Sequence, residues 1–209
     1  MLRSTFCAVA LLSLFSTVNA AVITFDTDPF AGSDALTTPG RQVVGGEPSI
    51  EFSIASDVFA FQPAVFAAGN QVLFVNDVVN NLPTSGVNIV VFQTFDNDDD
   101  PLTPFGAGNA ATLIAGQITS VSPGFFIYFN SGLDLPRLVY STDLGDETAD
   151  LKILARMTNL GGQAGRDAVP TFTEANFTFV PEPSSLFLMS AAGVFGACGY
   201  VLRRRRPRG

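Results

Sequence analysis

Four carboxylates crowd into "FDNDDDPLTPFG" (95–106): Asp96, Asp98, Asp99 and Asp100, with Asn97 among them. Clustered hard oxygen ligands suit Ca²⁺. The Asp96, Asp98, Asp100 spacing begins like an EF-hand loop and then departs from it. Pro101 stands sixth, where a Gly makes the turn, and Ala107 stands twelfth, where a bidentate Glu belongs. Two readings stay open: a looser calcium site between strands, or a solvated acidic turn in which Asp and Asn favour the bend. The second acidic loop, "STDLGDETAD" (141–150), carries the same pair of readings.

Other chemistry is sparse. The chain has no histidine, which excludes Ser-His-Asp and Cys-His nucleophile systems and histidine-based zinc sites. No nucleophile elbow, phosphate-binding glycine loop or dinucleotide fingerprint occurs. A hydrolase built on two carboxylates stays open as a remote alternative, but among so many acids a close pair carries almost no information. The expectation is therefore a protein that is not an enzyme and needs no cofactor, with calcium as the alternative.

Charge narrows the partners. Residues 21–179 hold 18 of the 19 acids and five of the 11 bases, a net charge of −13. Such a domain has no use for nucleic acid, whose phosphates need Lys and Arg to displace counterions. Its 20 Phe in the whole chain come with no Trp and three Tyr. Sugar-stacking faces favour the rings with polar edges, so the Phe residues read as core. Both cysteines, Cys7 and Cys198, lie outside residues 21–179, so this segment has neither a disulfide framework nor a thiolate metal site.

The elements that must position these loops read as strands, because Phe, Val, Ile and Thr runs are cut by Gly, Pro, Asn and Asp. Strands are expected at 21–26, 49–56, 57–61, 71–79, 87–95, 124–130, 136–142 and 171–179. "SIEFSIAS" (49–56) alternates strictly and reads as a half-buried antiparallel strand. "NNLPTSG" and "SGLDL" read as the connectors of two hairpins. "NAATLIAGQI" (109–118) reads as a short helix with Asn109 as N-cap and Gly116 as its stop. "ADLKILARMTN" (149–159) fits a strand or a helix stripe, and its strand neighbours favour the strand. In 171–179, Phe172 is out of phase with Ala175, Phe177 and Phe179, and a β-bulge near Glu174 would reconcile them. The sum is a mainly β domain of seven to nine strands with one or two short helices. The expected architecture is an antiparallel β-sandwich or jelly roll.

Both chain ends differ from this domain. "MLRSTFCAVALLSLFSTVNA" has a basic start, a ten-residue apolar stretch and small residues before a cut after Ala20, the pattern of a secretory signal peptide. At the other end, Leu186 to Leu202 is 17 residues without charge, roughly 25 Å as a helix and near the lower limit for a membrane span. Arg203, Arg204, Arg205, Arg206 and Arg208 follow. A basic cluster beside an apolar run stays cytoplasmic, which puts the domain outside. Just before the span, Pro181 and Pro183 bracket Glu182. Two prolines hold the backbone extended and remove amide donors, leaving a stiff peptide that an enzyme can clamp.

The triplet Pro181-Glu182-Pro183, the short apolar run and the terminal arginines resemble the PEP-CTERM sorting signal of Gram-negative bacteria. The resemblance covers residues 180–208. It implies recognition and processing by a membrane-embedded protease, the exosortase, and release to the envelope or extracellular matrix. The organisation expected is thus signal peptide 1–20, domain 21–179 and sorting signal 180–209. The partners expected are signal peptidase, the secretion machinery, exosortase and exopolysaccharide. A structural or adhesive surface role leads. A calcium- or polysaccharide-binding module is the alternative.

Overall fold

In the computed structural model, residues 20–100 and 102–180 are described. All but Ala20 of the expected signal peptide, Pro101, the Pro181–Pro183 triplet, the apolar run 186–202 and the terminal arginines lie outside the described residues. No described helix is long and apolar enough to cross a membrane.

The domain is mainly β. In chain order its strands are β1 (Val22–Phe25), β2 (Val43–Val44), β3 (Ser49–Ile50), β4 (Val58–Phe61), β5 (Phe74–Asp77), β6 (Ile89–Phe92), β7 (Gly124–Asn130), β8 (Leu135–Ser141), β9 (Leu151–Met157) and β10 (Phe177–Phe179). Three short helices accompany them: α1 (Pro63–Phe66), α2 (Ala107–Ala115) and α3 (Gly162–Ala168). A larger sheet runs β2-β9-β8-β7-β6-β5, with β3 also paired to β9. A smaller sheet runs β1-β4-β10.

The expected antiparallel architecture is corrected by this pairing. Only β7–β8 and β8–β9 are antiparallel among the described strands. The small sheet is parallel throughout, and β5–β6, β6–β7, β2–β9 and β3–β9 are parallel as well. The physical reason is burial on both faces. Ile89, Val90, Val91 and Phe92 are all fully buried, as are Phe125 to Phe129. Parallel strands covered on both sides read as continuous apolar runs instead of alternating ones.

Three layers result. One face of the large sheet presents Ile89, Val91, Phe125, Ile127 and Phe129 to Phe59, Phe61, Phe177 and Phe179 of the small sheet. The other face presents Val90, Phe92, Phe126 and Tyr128 to Ala107, Ala110, Ala111 and Ile114 of α2. Most Phe residues form the first core, with Phe61 stacked on Phe125 at 3.7 Å between ring centroids. No Phe or Tyr is among the exposed large hydrophobic side chains of the described residues, which agrees with the reading of Phe as core.

Particular segments held and others changed. The "SGLDL" hairpin forms between β7 and β8. "NNLPTSG" does not turn a hairpin: it carries the chain across to a parallel neighbour, with Phe74 opposite Ile89. α2 forms as the crossover between the parallel strands β6 and β7. Asn109 sits inside its first turn, where its side-chain oxygen accepts the Gly106 N–H at 3.0 Å, and Gly116 ends it. β9 is a strand whose ambiguity has a cause. The register shifts so that Leu138 faces Ala155 while Val139 faces Ile153. The extra residue, Leu154, moves the apolar phase from one core to the other, which is what makes the sequence mimic a helix stripe. The expected strand 49–56 shrinks to β3, because a turn closed by Ser56 and Asp57 N–H groups on the Ser53 carbonyl interrupts it. No bulge sits at Glu174: a 3-10 turn over Glu174–Asn176 resets the phase between Phe172 and β10.

One glycine is demanded by close approach. Phe125 donates to the Asn88 carbonyl at 2.8 Å, and a Cβ at Gly124 would lie 2.7 Å from that same oxygen.

Candidate functional site

The sorting segment leaves the domain from a fixed point. Phe179 ends β10 opposite Phe61 of β4. Its ring is buried, 5.9 Å from Phe61 and 6.2 Å from Phe125 between centroids. The next residue, Val180, donates its N–H to the Phe61 carbonyl at 2.9 Å. Pro181 follows at once, so no linker separates the last ladder bond from the Pro-Glu-Pro triplet.

The other end of the domain is held on the same strand. Ala21 donates its N–H to Asp57 Oδ1 at 2.9 Å, and its carbonyl accepts the Val58 N–H at 2.9 Å. Asp57 is 7% exposed and also accepts from Ser53 N–H at 2.8 Å and Ser56 Oγ at 3.1 Å. Burial pushes this carboxyl up. The bonds from Ala21, Ser53 and Ser56 outweigh it and hold the group below the usual carboxylate range. Asn176, just before β10, donates to the Asp57 and Ile54 carbonyls. β1 and β10 flank β4 in parallel, so the chain enters at one end of the small sheet and leaves at the other.

The acidic loop Asp96–Asp100 is exposed apart from the partly covered Asp96. Its carboxylates turn back on their own backbone. Asp96 Oδ1 accepts from Asn97 and Asp98 N–H, Asp98 Oδ1 from Asp100 N–H, and Asp100 Oδ1 from Leu102 N–H. Asp99 takes the left-handed conformation at φ 58°. In the 141–150 loop, Asp143 accepts from Ser122 and Gly145, and Asp146 from Thr148. Asp150 bridges the Leu36 and Gln42 N–H groups at 2.7 Å each. Among the described residues, no group of three or more His, Cys, Asp or Glu converges as a metal site.

Sequence reasoning missed one ionic cluster built around a buried carboxylate. Glu47, with a side chain 1% exposed, holds both Arg137 and Arg156, the latter at 2.7 Å. Arg137 also reaches the Tyr128 hydroxyl at 3.4 Å. Burial pushes Glu47 up, and the Arg156 bond, a backbone N–H bond and Arg137 together outweigh it to leave the carboxyl below its ordinary value. The available signal was that Arg137 and Arg156 sit in largely apolar strands, where a covered charge demands a partner. Beside the cluster a cleft of about 350 Å³ opens between β1 and β9, lined in part by Ile23, Phe25, Asp28, Glu47, Phe66 and Lys152.

Comparison with curated proteins and with solved structures yields no match. A family match falls on the tail alone, over residues 179–206, beginning at the buried Phe179. The chain carries, from the end of its last strand, a PEP-CTERM protein-sorting motif.

Proposed function

We propose that the protein is an exported, non-enzymatic component of the cell surface or extracellular matrix of a Gram-negative bacterium, with a structural or adhesive role. Signal peptidase removes residues 1–20 after passage through the secretion machinery. The apolar run 186–202 and the arginines then hold the chain in the inner membrane, where exosortase processes the tail.

The observation that carries this reading is the direct join of the motif to β10. Five residues, 181–185, separate the domain from the apolar run. Even fully extended they reach about 17 Å, so the folded domain stands close over the bilayer before processing. The strongly acidic domain is repelled by anionic lipid and takes exopolysaccharide or a matrix as its final surroundings. Processing of the tail frees it to go there.

Deleting Pro181–Pro183 tests the proposal in the native host. The expected outcome is an unprocessed species retained in the membrane fraction. Processing and location equal to wild type would refute it.

A polysaccharide-binding role is the second reading, and the cleft between β1 and β9 favours it. Glu47 is taken up by Arg137 and Arg156 and Phe66 is buried, so such a cleft would act through Asp28, Lys152 and the partly covered Phe25. A glycan array probed with the secreted protein decides it.

A further inference from the structure

Ala21 is placed by two bonds, and one of them ends on a buried carboxylate. Its carbonyl is fixed by the Val58 N–H and its nitrogen lies 2.9 Å from Asp57 Oδ1. Ala20 and Ala21 are exposed, so the peptide bond joining them is open to a protease while the Ala21 nitrogen is already in place. Asp57 is itself locked by Ser53 and Ser56. Hydrolysis of the Ala20–Ala21 bond consumes one water, leaves a carboxylate on Ala20 and leaves an α-ammonium on Ala21.

We propose that Asp57 is the receiving site for the new α-ammonium of Ala21, so that removal of the leader completes an ion pair and tightens the domain. This rests on the export reading above, with its cut after Ala20. The amide N–H of the precursor already makes a hydrogen bond to Asp57. The precursor's bond already has a charged acceptor; cleavage makes the donor a full charge as well and adds a Coulomb attraction between two fixed partners. Exposed ion pairs contribute little, because two mobile side chains must be ordered to form them. Here neither partner is mobile. Ala21 is held at its carbonyl, and Asp57 is held by two other donors. The same strand, β4, carries the C-terminal strand β10 through Phe59 to Phe61, and Asn176 bonds the Asp57 carbonyl. The pair thus strengthens the sheet from which the sorting motif departs.

The N-terminus of the exported chain is first read by mass spectrometry; a start other than Ala21 refutes the cleavage position and with it the natural occurrence of the pair. Independently, the chain beginning at Ala21 and keeping its C-terminal tail is prepared in detergent with a free amine, with that amine acetylated, and extended by Ala20. The free form is expected to melt higher than the acetylated and extended forms by about 2–4 °C, the shift that about 1 kcal/mol produces at this size. Asp57→Asn is expected to remove that difference while lowering all three melting temperatures. Equal melting of free and acetylated wild type overturns the ion pair, whatever the variant does. Persistence of the difference in Asp57→Asn assigns the ammonium to another group and overturns it as well.

Discussion

The two ends of the folded domain are tied to one strand by opposite chemistry. At the entry, Ala21 is caught by polar groups: the Asp57 carboxylate on its nitrogen and the Val58 N–H on its carbonyl. At the exit, Phe179 is caught by rings, Phe61 and Phe125. The entry lies exposed at its own residues, whereas the exit side chain is buried. Electrostatic capture responds to a change of charge, such as the one the proposed cut after Ala20 would make. Aromatic capture does not, so a cut beyond Val180 leaves the sheet as it was.

The largest effect is expected at the apolar end. Phe61→Ala removes a fully buried ring that stacks on Phe125 and touches Phe179, and it costs about 3–5 kcal/mol. Denaturant unfolding checks it. A loss under about 1 kcal/mol would show that the rings do not clamp the exit.

Asp57→Ala is expected to cost less, about 1–3 kcal/mol, from three donors left without their acceptor. Its signature is in the acid limb. The folded carboxyl lies below its ordinary value, so its contribution is present above about pH 4 and disappears as pH falls through the depressed value. The variant should therefore lose stability less steeply than wild type below pH 4. Parallel acid limbs would contradict the assigned role.

Ending the chain at Val180 should change unfolding by no more than about 0.5 kcal/mol, because the last ladder bond is the Val180 N–H. A larger drop would make the tail part of the fold.

The smallest effect is expected at the acidic loop. Its carboxylates already serve Asn97, Asp98, Asp100 and Leu102 N–H groups. Calcium titration should give no heat and no shift in melting, with or without Asp98→Ala and Asp100→Ala. Heat that disappears in the variants would restore a calcium site.

The sequence exposed the parts of this molecule that are linear and hid those that are not. The sorting motif is legible because prolines, an apolar run and arginines act in order along the chain. Strand positions such as β7 and β8, and the hairpin between them, follow from local pattern and turn chemistry. Strand direction does not: "VNIVVF" and "GFFIYF" are apolar throughout, and a run covered on both faces says nothing of which way its neighbour points. Continuous apolarity was itself the available sign of parallel pairing. Glu47 and Asp57 were hidden among 18 acids, because burial is decided by strands distant in sequence. Arg137, the one charge of β8, and Arg156, set between Ala155 and Met157 in β9, were the better clue.

Comparison of the chain's intact mass in cells with and without exosortase tests the sorting account most directly. The account predicts a chain shortened at both ends and released from the inner membrane when exosortase is present. Without exosortase it predicts one that begins at Ala21, keeps its arginines and stays in the membrane. The same mass and location in both cells would contradict it.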